Sequence, residues 1–390
     1  LKQKVLTMAL LAGVASSAHA QSSVTLYGLI DAGISYVNHS KSPGGSDSLI
    51  KYDDGVAQGS RWGLRGTEDL GGGLKALFVL ENGFNTGNGT MGQNNSLFGR
   101  QAYAGLSKNG LGSLTFGRQY AFTTDYLGAN YSTGGQTVAG NYAYHVNDID
   151  QLTSSRINNA VKFSSANLAG FTFGAMYGFS NQAGAFAGAP STGSGASAAA
   201  GSSRAYSFGA NYAAGPFSVG AAFTDIHYPG QATQPFTTSL FGVATGSSGS
   251  QIRDLRAYGV GGRYTLGQAT LWALWTNTRL DPTAGTATTY NAYEIGGKYA
   301  LTSALTGGLG YTYSRATDSF NAHWNQIDAS VDYALSKRTD IYLLGIYQKA
   351  SGTVNGVAVP AQIGSSTSYF NTSGTSSNQL AFRAGLRHRF

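Results

Sequence analysis

The chain ends in Leu380-Ala381-Phe382-Arg383-Ala384-Gly385-Leu386-Arg387-His388-Arg389-Phe390, and this alternation constrains the fold more tightly than any other stretch. Successive side chains of a strand point to opposite faces. Leu380, Phe382, Ala384, Leu386, His388 and Phe390 therefore share one face, while Arg383, Gly385, Arg387 and Arg389 share the other. A strand that is greasy on one side and cationic on the other is stable between hydrocarbon and water. A closed β-wall in a bilayer provides both surroundings and leaves no backbone group unpaired in lipid.

Similar segments recur at 24–37, 60–69, 74–84, 97–107, 113–119, 156–164, 171–180 and 204–213. The series continues at 217–227, 252–266, 268–278, 290–301, 304–315, 324–335, 340–349 and 379–390. Phe171, Phe173, Ala175, Tyr177 and Phe179 make an apolar row against Thr172, Gly174, Met176, Gly178 and Ser180. Apolar outside and small or polar inside reverses the pattern of a soluble barrel, whose interior is a greasy core. The pattern predicts an all-β fold, a 16-stranded antiparallel transmembrane β-barrel occupying 21–390 as one domain.

Composition agrees. Charged residues are 11% of the chain, against about 25% in an average soluble domain, and glycine is 56 of 390 residues. No run of about 18 apolar residues occurs, so the membrane signal lies in alternation and not in helices. Cysteine is absent, which removes disulfides and thiolate chemistry. The net charge of +7 comes without any basic run, which argues against a nucleic-acid partner.

The six histidines, at 19, 39, 145, 227, 323 and 388, show no metal-binding spacing, and no phosphate loop is present, so the sequence calls for no cofactor, no metal and no catalytic residue. His323 near Ser319 is the only pairing that tempts a hydrolase reading; polar rim residues are the plainer one.

Lys2 and Lys4, the apolar run 5–14 and Ala18-His19-Ala20 ahead of Gln21 lead us to expect a cleaved export signal over 1–20. Tight turns such as Gly71-Gly72-Gly73 and Lys108-Asn109-Gly110 alternate with long Gly/Ser/Ala/Thr-rich loops at 181–203, 228–251 and 350–378, which read as exposed and mobile. Short turns on the periplasmic side and long external loops are the expected arrangement. The loop over 120–155 differs, carrying Tyr126, Tyr131, Tyr142, Tyr144, His145, Asp148 and Asp150, and it suits a segment folded inward to narrow the lumen.

Ser22-Ser23-Val24-Thr25-Leu26-Tyr27-Gly28, then Ser60-Arg61-Trp62-Gly63-Leu64-Arg65-Gly66-Thr67-Glu68-Asp69-Leu70-Gly71-Gly72-Gly73, Phe98-Gly99-Arg100-Gln101-Ala102-Tyr103 and the Arg387-His388-Arg389-Phe390 ending resemble the general porins of Gram-negative β-proteobacteria. The resemblance spans essentially all of 21–390. It implies a homotrimer of sixteen-stranded barrels in the outer membrane, among outer-membrane lipid and lipopolysaccharide. Each barrel would be an aqueous channel for passive diffusion of small anions and other small hydrophilic solutes, constricted by its third external loop. The terminal Phe390 resembles the signal read by the barrel assembly machinery.

In that family, arginines of the wall face acidic groups across the constriction. Arg61, Arg100 and Arg156 match by motif, and Trp62 and Leu64 pointing outward turn Arg61 inward. Glu81 shares an inward face with Lys75, Leu77 and Val79, and Lys162 is a further inward cation. Asp148 and Asp150 of the loop complete the expected constriction. Guanidiniums within low-dielectric walls concentrate anions, so weak anion selectivity is expected. The segment carrying Arg100 alternates poorly, because turning Arg100 inward sends Gln101 outward; a bulge or a covered trimer face would explain it. The alternatives are a solute-specific channel, an exported soluble β-protein binding glycans, or an outer-membrane hydrolase.

Overall fold

The computed structural model describes residues 23–43, 45–179, 204–227, 239–240, 243–244, 252–282, 285–354, 356–366, 369–370 and 376–390. The expected export signal, the loops 181–203 and 228–251 (apart from a two-rung hairpin in the latter), and part of 350–378 lie outside them. Sixteen antiparallel strands form one closed wall. The first half runs β1 Ser23–Ser42, β2 in two runs (Gly45–Asp54 and Arg61–Gly71), β3 Leu74–Gly83, β4 Gln101–Lys108, β5 Gly112–Tyr120, β6 Arg156–Ser165, β7 Phe171–Gly178 and β8 Arg204–Ala214. The second half runs β9 Phe217–His227, β10 Ile252–Leu266, β11 Ala269–Pro282, β12 Thr288–Ala300, β13 Leu305–Asp318, β14 Asn321–Ala334, β15 Thr339–Val354 and β16 Asn378–Arg389.

Closure joins β1 to β16 in the register Leu29↔Arg389 through Val37↔Ala381, and Gly28 and Phe390 exchange backbone hydrogen bonds of 3.1 and 3.0 Å. No sheet edge remains along this seam, as a bilayer requires. The closing strand obeys its parity. Phe382, Leu386 and Phe390 are exposed on the outer face, while Arg383 and Arg387 are buried inside. These arginines are not simply hydrated: Arg383 reaches Asp31 at 3.4 Å and the Tyr342 hydroxyl at 2.9 Å, and Arg387 reaches Asp340 at 3.1 Å.

Across the wall the outer row Trp275, Tyr293 and Tyr313 is in direct register through β11, β12 and β13, and the next row inward along the strands is Ala273, Ile295 and Tyr311. Leu309, Leu343 and Ile295 are each more than 60% exposed, which is tolerable only against lipid. The interior holds Ser35, Thr224, Thr276, Glu294 and Gln348, all buried.

The interior is not uniformly polar, however. The third long connection, 121–155, enters the barrel as a series of short helical turns (Thr123–Gly128, Ala129–Tyr131, Thr133–Gln136 and Gly140–Ala143) and packs apolar side chains onto the wall. Leu127 and Leu152 are fully buried there, each contributing about 1.5–3 kcal/mol. Glycines make room: a Cβ at Gly261 would collide with the Tyr131 side chain, and one at Gly174 with the Phe122 ring. The glycine richness thus serves close approach of loop to wall as well as turns.

Two segments depart from the sequence reading. β1 extends past Val37 to Ser42, and the first run of β2 pairs with it before the chain leaves the ladder over 55–60 and rejoins at Arg61. The excursion turns inward, burying Val56 and Ala57, and the Val56 carbonyl accepts from Asn141 N at 2.7 Å. A strand interrupted this way offers no single alternating run, so only its second part was visible.

The last connection, expected to be exposed and mobile, instead folds back into the barrel over 359–366 and 369–370, although Val357 and Ala358 stay exposed. Val359, Ala361, Ile363 and Phe370 are buried, and Trp324 Nε1 donates to Pro360 O at 3.0 Å. It packs on the third loop: Ser365 N donates to Asn141 O at 2.9 Å and Asn147 N to Gly364 O at 3.0 Å. Small residues read as low complexity can also be residues that pack closely.

Candidate functional site: the loop-narrowed lumen

Beside the third loop lies a cavity of about 850 Å³ lined by Arg61, Arg100, Arg156 and Tyr120. The inward excursion of β2 delivers Arg61, whose Nε donates to Gly59 O at 2.8 Å. Arg100 precedes β4, so strand alternation does not govern it, and this resolves the poor parity of its segment. Its Nε donates to Glu81 Oε1 at 2.8 Å and its Nη2 to the Tyr120 hydroxyl at 2.9 Å. Arg156, the first residue of β6, donates to the same hydroxyl at 2.8 Å, with its guanidinium 4.7 Å from the Tyr120 ring centroid.

Glu81 is buried and receives the Tyr27 hydroxyl at 3.0 Å as well as Arg100. Lys162 points inward but is spent beneath the loop, donating to Asp125 Oδ2 at 2.5 Å and to Tyr120 O at 2.7 Å. The cavity lining also includes Lys51, Arg387, Asp53, Asp54 and Asp125, making five basic side chains against three acidic ones. Of the additional lining residues, Lys51 and Asp53 lie in the missed run of β2; Ile50 and Tyr52, exposed on the outer face, were the alternation signal that could have found them. Lys51 and Asp53 pair at 3.1 Å.

Asp148 and Asp150 do not face the arginines. Both are buried inside the third loop. Asp148 accepts from Thr153 N at 3.0 Å, Ser154 N at 2.8 Å and the Ser154 hydroxyl, and so shapes the loop's exit. Burial, followed by the neighbouring Asp150, pushes its carboxyl up to about 7. Asp150 Oδ2 lies 2.5 Å from His145 Nδ1 and accepts from Thr276 Oγ1 at 2.7 Å. His145 Nε2 lies 2.9 Å from Glu294 Oε2 on β12. A carboxylate only accepts, so both ring nitrogens carry a proton and the ring is an imidazolium. Burial alone would lower its pKa; Asp150 and then Glu294 override that and raise it to about 10.

Glu294 also accepts from Thr133 N and, at 2.6 Å, from Thr133 Oγ1 of the loop, so the loop is fastened to the wall at two points. The sequence had placed these acids at the constriction because it could not show which way a loop carboxylate turns. Ser319 and His323 do not pair: Ser319 bonds Thr288 at 2.5 Å and His323 packs on Tyr313.

A wall closed on itself, apolar outside, with a charged cavity narrowed by an inward loop, is the architecture of a water-filled membrane pore. Residues 7–353 match the family model described as Gram-negative porin, and the chain belongs to that family. It is an outer-membrane diffusion channel. An outer membrane porin of Bordetella pertussis is 32% identical over 385 residues, covering 90% of this chain and 94% of that one. Outer membrane porin protein 32 of Delftia acidovorans is 30% identical over the full length of both. Among solved structures, an anion-selective porin from Comamonas acidovorans superposes with a TM-score of 0.68 at 25% identity, covering 95% of this chain and 100% of that one.

Proposed function

We propose that the channel passes small hydrophilic solutes with a weak preference for anions, and that Arg61, Arg100 and Arg156 carry the preference. The observation behind this is the imbalance at the cavity. Arg61 and Arg156 have backbone and hydroxyl partners but no carboxylate at ion-pair distance among the described residues, while Arg100 alone holds Glu81. Charges left uncompensated between low-dielectric walls attract counter-ions from solution. Lys162, Asp148 and Asp150, spent on the loop, set its position and contribute little to the field seen by a permeating ion.

The reading extends to a homotrimer exported after removal of 1–20, inserted by the barrel assembly machinery into lipid and lipopolysaccharide. The exported-signal pattern and the likeness to trimeric porins support it. Purified protein in a planar bilayer under a potassium chloride gradient should give a zero-current potential of the sign set by chloride. A potential of the potassium sign overturns the anion reading, and uptake of only one sugar among several of equal size in liposome swelling overturns the general-diffusion reading.

A further inference from the structure

We propose that Tyr120 is a positioning residue that determines selectivity: its uncharged hydroxyl is the shared acceptor holding Arg100 and Arg156 at the cavity. The inference rests on the anion reading above and deepens it. Tyr120 is the last residue of β5 and Arg156 the first of β6, opposite one another in the ladder at the neck of the third loop. The backbone there is fixed from both sides. Ala121 N donates to Ser155 O at 2.8 Å, and Lys162 Nζ donates to Tyr120 O at 2.7 Å.

The ring is thus held under the Arg156 guanidinium, and its oxygen lies 2.8 Å from Arg156 Nη2 and 2.9 Å from Arg100 Nη2. For the Arg156 guanidinium this hydroxyl is the one hydrogen-bond acceptor among the described residues; its buried Nε has none. Arg100 keeps Glu81, but its second anchor is the same oxygen.

Two like charges sharing one neutral acceptor are held close together and aimed without being neutralised. A carboxylate at this position would hold them equally well and cancel the field that attracts anions. Phenylalanine would leave both guanidiniums without this acceptor in a site where each is less than a tenth exposed. A buried donor that loses its acceptor moves until it finds another, and Glu81 is the carboxylate at hand. Selectivity would therefore fall although no charge has been removed.

The test is Tyr120→Phe, with Arg156→Lys and the double variant, each refolded and checked by heat-modifiable gel migration. In Tyr120→Phe we expect the chloride-over-potassium permeability ratio to fall about twofold or more, and the chloride concentration at half-maximal conductance to rise, with conductance in concentrated salt retained. Arg156→Lys keeps the charge and loses the planar fork. If Tyr120 acts through the guanidiniums, the double variant should lose less than the sum of the two singles.

An anion-selective parent with an unchanged ratio and half-saturation in Tyr120→Phe overturns the inference, as does strict additivity in the cycle. If Tyr120→Phe alone fails to refold, Tyr120→Leu replaces it and is held to the same criteria. A parent with no anion preference overturns the prior reading instead, so the two failures are separable.

Discussion

On the face of the third loop that meets the cavity, Arg61 and Arg156 have a carbonyl, a ring and a hydroxyl for company. On the face that meets β11 and β12, His145 has Asp150 and Glu294. Each region holds cationic charge in a tight space, yet the first is left open to counter-ions from solution and the second, a single imidazolium, is closed by two carboxylates of the chain. A buried charge that loses its partner is costly, and a fully paired one changes little in the field outside it. The arginines can therefore act on permeating ions, whereas the His145 nest acts on the loop.

The largest effect that would break this comparison is on selectivity. Replacing Arg61 and Arg100 by Ser removes two cations and strips Glu81 of its ion pair. The chloride-over-potassium ratio should drop by about tenfold and invert the sign of the zero-current potential; an unchanged potential would place the field elsewhere.

His145→Ala should do the opposite. It leaves Asp150 and Glu294 facing one another without a cation and should cost about 3–5 kcal/mol in detergent unfolding while the sign of the selectivity persists. Single-channel records should show added open-channel flicker. If selectivity inverts and stability holds, the two regions have been assigned the wrong way round.

A smaller effect sharpens the point through pH. The folded value of His145, about 10, lies above the ordinary 6.5, so the latch contributes fully below about 6.5 and is lost as pH rises through about 10. Once above the range near 7 where Asp148 titrates, open-channel noise should stay level and then rise near pH 10 in the parent. The His145→Gln variant should be noisy throughout and show no alkaline step.

The wall itself was legible because alternation is local. Leu380 to Phe390 state their own parity, and Phe171 to Phe179 state theirs. What was not legible depends on contacts across the barrel. Gly45–Asp54 alternates too, but Gly55 to Ser60 interrupt it, and only pairing with β1 shows the two runs to be one strand. The inward folding of the last connection depends on Ile363 and Phe370 meeting Tyr142 of a loop more than two hundred residues earlier, a partnership that small, polar local composition conceals.

Arg61, Arg100 and Arg156 could be named from motif and parity, whereas Tyr120 could not. A tyrosine at a strand end is common on any barrel, and what sets this one apart is two guanidiniums on a single oxygen. Asp148 and Asp150 were the reverse: suited by type, but turned away by the loop's own hydrogen bonds.

Everything depends on a cylinder that is wet within and apolar without, and the absence of cysteine allows a direct test on single-cysteine variants. Arg61→Cys and Leu343→Cys, reconstituted in a bilayer, should be treated with an anionic, membrane-impermeant methanethiosulfonate. The account predicts that the first reacts and lowers single-channel conductance stepwise, while the second, 62% exposed on the outer wall, is shielded by lipid and does not react. Rapid labelling at 343 with protection at 61 would contradict it.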